Sequence, residues 1–121
     1  MNHTHSFLLA SRTPNIMSFS GAVTNQSVHL PGPGGQSGTG FPLPRRGYLT
    51  ALHLWDGSSL HFDDDEIPFQ SGDKLSVYCQ TGGSDFSVKV RLNGTTTPLQ
   101  VDSVPFNTTL FATVEFLLFR E

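Results

Sequence analysis

Cysteine is all but missing from this chain: Cys79 is the only one in 121 residues. No internal disulfide can form, and no cysteine cluster can hold zinc. Charge is scarce as well. Only 14% of residues are charged, the formal net charge is −3, and Arg45-Arg46 is the one adjacent basic pair. Phosphate binding needs a concentrated positive field, so a nucleic-acid partner is not expected. Long apolar runs are absent near the start, where Phe7-Leu-Leu-Ala10 stands alone without a basic n-region. Neither a secretory signal nor a membrane span is expected there, and with that cytosolic synthesis and no membrane partner are expected. Neither heptads nor a helical apolar stripe can be found. The glycine-rich stretch 32–40 lacks the Gly-Lys-Ser/Thr ending of a phosphate loop. The N-x-Ser/Thr sequons at Asn2, Asn25, Asn93 and Asn107 are read as coincidence in a Ser/Thr-rich chain for which no signal peptide is expected.

What the chain does have is phenylalanine, ten in all, among abundant Gly, Pro, Ser and Thr. This is the composition of one loop-rich β domain. The clearest unit is Phe86–Leu92, then Asn93-Gly94, then Thr95–Val101. Asn-Gly supplies the two positive-φ residues of a type I′ turn, so a hairpin is predicted. Its two-residue loop pairs Leu92 with Thr95, Val90 with Thr97, Val88 with Leu99 and Phe86 with Val101. Pro98, lacking an N–H, places the second strand at a sheet edge or interruption.

Other strands are predicted at Tyr48–Trp55, apolar on both faces, at Leu60–Phe62, and at Lys74–Gln80, with Leu75, Val77 and Cys79 facing inward. The last segment, Thr109–Phe119, has Leu110, Ala112, Val114, Phe116 and Leu118 on one side. Its other side carries Phe111, Leu117 and Phe119, too apolar to be wetted, so a further sheet or subunit is expected to cover it. Before Gly47 the order weakens. Phe7–Ala10, Ile16–Phe19 and Ala22–Leu30 are each long enough for one strand, but Pro31–Pro44 sustains neither helix nor central strand.

Chemistry is hard to find. The run Asp63-Asp-Asp-Glu66, read as a loop, is the one dense carboxylate cluster, and it lacks the glycine and terminal glutamate of an EF-hand. His3, His5, His29, His53 and His61 are dispersed; His53 and His61 flank the Asp56-Gly57 turn. Trp55 lies in a strand that reads as core, and a buried Cys79 is no nucleophile. No cofactor, metal or catalytic residue is assigned.

Phe41-Pro-Leu-Pro-Arg-Arg-Gly-Tyr-Leu-Thr-Ala-Leu-His-Leu54, Phe69-Gln-Ser-Gly-Asp-Lys-Leu-Ser-Val77 and Ala112-Thr-Val-Glu-Phe-Leu-Leu118 resemble the opening, middle and closing strands of small jelly-roll modules of phage and bacterial surface proteins. Those modules often trimerise in the manner of tumour-necrosis-factor-like domains. The resemblance spans residues 41–119 and its motifs are structural. It implies a virion or surface assembly role and carries over no catalytic residue. The leading expectation is a phage capsid decoration (cement) protein, with the major capsid protein as partner, a homo-oligomer with a trimer favoured, and a place on the capsid exterior.

The expectation is therefore an all-β antiparallel sandwich of jelly-roll type in residues 41–121, preceded by an arm and Gly/Pro-rich segment in residues 1–40. Deleting that arm should leave the sandwich folded. Interface candidates are Phe7, Leu8 and Phe19 in the arm and Phe111, Leu117 and Phe119 on the last strand. The alternative is a receptor- or carbohydrate-binding tip of a tail fibre, with Trp55, Asp56, Asp63, Asp64, Asp65 and Glu66 as its ligand loop.

Overall fold

Alternating side chains decide which side of each strand leaves water, and two sheets bury their apolar sides against each other. The structure is a computed structural model that describes residues 14–35 and 38–119. Among the described residues the strands are β1 (Asn15–Ala22), β2 (Val28–His29), β3 (Phe41–Pro42), β4 (Gly47–Trp55), β5 (Leu60–Phe69), β6 (Lys74–Thr81), β7 (Phe86–Leu92), β8 (Thr95–Val104) and β9 (Thr109–Leu118). Sheet 1 has the order β1-β9-β4-β5. Sheet 2 has the order β2-β6-β7-β8, with β3 also paired to β6. Every pairing is antiparallel. The protein is an all-β sandwich, as expected.

The core lies between the sheets. Leu110, Ala112, Val114, Phe116 and Leu118 of β9 meet Leu75, Val77 and Cys79 of β6 and Phe86, Val88 and Val90 of β7 in one buried cluster. Burial pushes the Cys79 thiol up to about 12, as suits a packing residue and not a nucleophile. In β4 the inward leucines change parity, from Leu49 to Leu52 and Leu54. A register shift between Leu49 and Ala51 reconciles them, and the Thr50 hydroxyl at that irregularity donates to the Glu115 carbonyl at 3.2 Å. At Gly47 the β9 backbone comes so close that a Cβ would collide with the Leu117 carbonyl.

Three expectations need correction. Residues 15–30 are not an arm. β1 pairs with β9 along its whole length, and Met17, Phe19, Val23 and Leu30 are buried in the core. A Cβ at Gly32 would sit 2.5 Å from the Phe19 ring, so even the Gly/Pro segment is fitted to the sandwich. The boundary at residue 40 therefore does not separate an arm from the fold. Residues 1–13 lie outside the described residues, and with them Phe7 and Leu8.

Second, Asp63–Glu66 is not a loop but part of the ten-residue strand β5. Third, the hairpin keeps its predicted register only at its tip. Asn93 and Gly94 both have positive φ, 54° and 79°, and Leu92 pairs with Thr95, but Lys89 then pairs with Gln100 and Val88 with Val101. Extra residues accumulate around Pro98. The Thr97 hydroxyl donates to the Val90 carbonyl at 2.8 Å and accepts from Leu99 N at 3.3 Å, supplying partners that the interrupted ladder does not. As expected from Pro98, β8 lies at an edge of its sheet. The hairpin tip is tied to the turn before β6 by Asn93, whose Oδ1 accepts from Lys74 N at 3.0 Å.

Candidate docking face

Sheet 1 turns its other side to solvent, and cross-strand register sets what appears there. Phe111 of β9 faces Trp55 of β4, which faces Leu60 of β5, giving an apolar row across three strands. These side chains are 52%, 42% and 65% exposed. One step along, Thr113, His53 and Phe62 are aligned, with Phe62 also exposed and its ring 4.9 Å from the His53 ring. The third row is Ile16, Glu115, Ala51 and Asp64. Ile16 is exposed as well.

A polar pair stands inside this apolar field. His53 Nε2 lies 2.6 Å from Glu115 Oε2, both side chains about one-third exposed. A carboxylate only accepts, so the imidazole donates. The pair holds two strands' outward side chains together.

Asp56 does different work. It is buried in the turn between β4 and β5. Its Oδ1 accepts from Ser58 N at 2.9 Å, Ser59 N at 2.7 Å and the Ser58 hydroxyl at 3.1 Å, while His61 Nε2 donates to Oδ2 at 2.8 Å. The hydrogen bond from His61, then those from Ser59 and Ser58, hold its carboxyl well below the usual carboxylate range. The Thr108 hydroxyl donates to the Asp56 carbonyl at 2.7 Å. Asp56 therefore presents no free carboxylate to a ligand. It fixes the turn that sets Trp55 opposite Leu60.

The acidic run is divided by its strand. Asp63 reaches the opposite sheet, where its Oδ2 accepts the backbone N–H of Gln100 on β8 at 3.0 Å and closes that corner of the sandwich. Asp64 faces outward beside Ala51, and Asp65 and Glu66 are exposed where the β4–β5 register shifts. Among the described residues no group of three His, Cys, Asp or Glu side chains converges to hold a metal ion.

The remaining predicted site residues separate. Phe19 is 2% exposed and packs inside, so it is core and not an interface residue. Phe111 is in the exposed row. Leu117, near the far end of β9, and Phe119, just past it, are half-buried. Phe119 meets Tyr48 edge-on at 5.1 Å, and the Arg46 guanidinium sits 4.9 Å over its ring. At about 3.3 Å per residue, the Arg46 end is ~26 Å from Phe111. Trp55, which reads as core in sequence, is on the surface. His53 and His61 do not meet: neighbouring strands aim them at separate carboxylates, Glu115 and Asp56.

Sequence reasoning missed Leu60 and Phe62. The signal was present, because period-two alternation puts Leu60, Phe62 and Asp64 on one side, and closing a hairpin across residues 56–59 sets Leu60 opposite Trp55. The His53–Glu115 pair had no such signal, since it depends on a pairing between strands distant in sequence. Protein-family models, curated proteins and solved structures were each searched with this chain, and none matched.

Proposed function

We propose that this chain is a structural binding module that docks through the outer face of sheet 1 onto a larger protein assembly, in the manner of a capsid decoration protein. The observation that carries the reading is the row Phe111, Trp55 and Leu60 with Phe62 beside it, exposed on a sheet whose interior is already filled. Monomeric proteins rarely leave contiguous apolar surface of this kind uncovered, and rigid aromatic side chains on a strand lose little entropy when a partner covers them. Binding only to the assembled state of a shell would stabilise that state by mass action, with no bond made or broken.

Isolation of assembled particles from the cells that make this chain tests the reading. Recovery in fixed stoichiometry with the shell subunit is expected. Absence of the chain from intact particles overturns it.

The exposure of Trp55 beside Phe62 and the His53–Glu115 pair favours one second reading, a carbohydrate stacking on this same face. Aromatic surfaces bearing a few fixed polar groups suit sugars as well as proteins. A glycan array separates the two: saturable binding to a defined oligosaccharide, lost in Trp55→Ala, supports the sugar.

A further inference from the structure

Charge is distributed between the two sheets with little mixing. The strands of sheet 1 contain Asp63, Asp64, Asp65, Glu66 and Glu115 but not one lysine or arginine. Lys74, Lys89 and Arg91 are all on sheet 2. Arg45 and Arg46 precede β4, and Arg46 is held over Phe119 at the end of the face away from Trp55. Around the exposed row, then, the charge carried by the described residues has one sign. Asp64 follows Phe62 on the same side of β5, and Glu115 lies in the next row but one from Phe111.

Resting on the docking reading, we infer that the partner is a different protein whose contact surface carries apolar side chains flanked by lysine or arginine. Apolar side chains match Phe111, Trp55, Leu60 and Phe62. Cations match Asp64 and Glu115, and charge complementarity of this kind orients partners and rejects wrong ones. A second copy of this chain fits poorly on either side. Sheet 1 against sheet 1 uses the same patch twice, so the strands of neither copy supply a lysine or arginine to meet the other's carboxylates. Sheet 2 offers cations, but among the described residues Val28 is the one large apolar side chain its strands leave exposed, which makes no row to receive Trp55 and Phe111, and its Lys89 and Arg91 are occupied by Gln80 and Tyr78.

The test uses the full chain and two synthetic peptides with the same apolar residues, one with lysine at every polar position and one with glutamate. The chain has a single tryptophan, so the indole N–H signal in a heteronuclear NMR spectrum reports Trp55 alone. The lysine peptide is expected to shift that signal saturably, with affinity falling about tenfold or more between ~0.05 M and ~0.5 M salt. Asp64→Asn should weaken it by about threefold or more, and Phe111→Ser should abolish it, whereas the glutamate peptide should leave the signal in place. Equal binding of both peptides, lost in Phe111→Ser, overturns the cationic partner but keeps docking on this face. Lysine-peptide binding unaffected by Phe111→Ser removes the face itself. No shift with either peptide overturns the inference. In that case a neutral oligosaccharide that moves the Trp55 signal assigns the face to sugar, and a concentration-dependent rise in mass lost in Phe111→Ser assigns it to a second copy.

Discussion

On the outer side of sheet 2, polar groups find one another. Lys89 Nζ donates to Gln80 Oε1 at 2.7 Å, the Ser87 hydroxyl to Asp102 Oδ1 at 2.8 Å, and Arg91 lies 4.0 Å over the Tyr78 ring while its Nε donates to Thr96 at 3.3 Å. Burial first, then the Arg91 guanidinium, keep His29 beside Tyr78 below the usual imidazole range. On the corresponding side of sheet 1, Phe111, Trp55, Leu60 and Phe62 meet water. Both sheets fill the same core, so folding does not require an apolar exterior. Sheet 2 shows what the chain does with a side that only needs to be soluble. The apolar side of sheet 1 is the one for which solubility supplies no reason, and contact with a partner does.

The comparison presumes that both sheets are complete, and the largest expected effect tests this. Deleting residues 1–40 removes β1 and β2 and takes Met17, Phe19, Val23 and Leu30 out of the core. At roughly 1.5–3 kcal/mol for each fully buried large side chain, the loss is comparable with the ~5–15 kcal/mol that holds a whole domain together. We expect no cooperative thermal transition by circular dichroism. Deleting residues 1–13 spares every described strand, so a cooperative transition should persist. Phe19→Ala alone should cost about 3–5 kcal/mol in denaturant unfolding. A folded 1–40 deletion would restore the arm and remove β1 from the account.

How much of this was legible in the sequence depends on how locally each feature is determined. Asn93-Gly94 forces its own φ values, and Leu110 through Leu118 alternate without interruption, so the hairpin tip and the inner side of β9 could be read directly. β1 could not be joined to the sheet, because its partner β9 lies almost a hundred residues away and Ile16–Phe19 alone does not choose between arm and strand. The slip at Pro98 follows from Thr97 replacing a ladder hydrogen bond, which residue pairing by count does not foresee. Of the face itself, Phe111 was legible as an apolar residue on the wrong side. Trp55 was not, because an apolar strand next to an unseen exterior looks the same as one buried on both sides.

The second-largest effect separates the two exteriors by function. Phe111→Ser and Trp55→Ser each remove a side chain that is about half exposed and touches cross-strand neighbours, so stability should fall by about 1 kcal/mol. Partner affinity should fall by at least about 2 kcal/mol, some thirtyfold in Kd, if they act as interface anchors. Calorimetric titration with the partner, paired with denaturant unfolding of the same variants, checks both halves. Equal losses in stability and affinity would mean that the row belongs to the fold.

A smaller effect concerns the turn that aligns the row. Because the Asp56 carboxyl lies below its ordinary value of 3.8 in the folded state, its contribution is complete above that pH and is lost as pH falls toward the folded value. Asp56→Asn should therefore be less stable than the native chain at neutral pH, with the gap closing below pH 3.8. Unfolding midpoints measured across the acid range check the sign. A gap that widened with acidification would mean that the carboxylate opposes the folded turn.

The smallest expected effect is on sheet 2, and it sharpens the contrast most. Lys89 is half-buried on β7, and its ammonium meets Gln80 in an exposed hydrogen bond. An exposed polar contact of a long side chain is worth roughly 0–1 kcal/mol, because water competes for both groups and the side chain loses freedom when fixed. Lys89→Ala should thus lower stability by less than about 1 kcal/mol and leave partner affinity within about twofold, since Lys89 lies across the core from Trp55. The same pair of measurements applies, titration with the partner and denaturant unfolding. A loss of affinity equal to that of Phe111→Ser would place the partner on the polar sheet and reverse the assignment of the two exteriors.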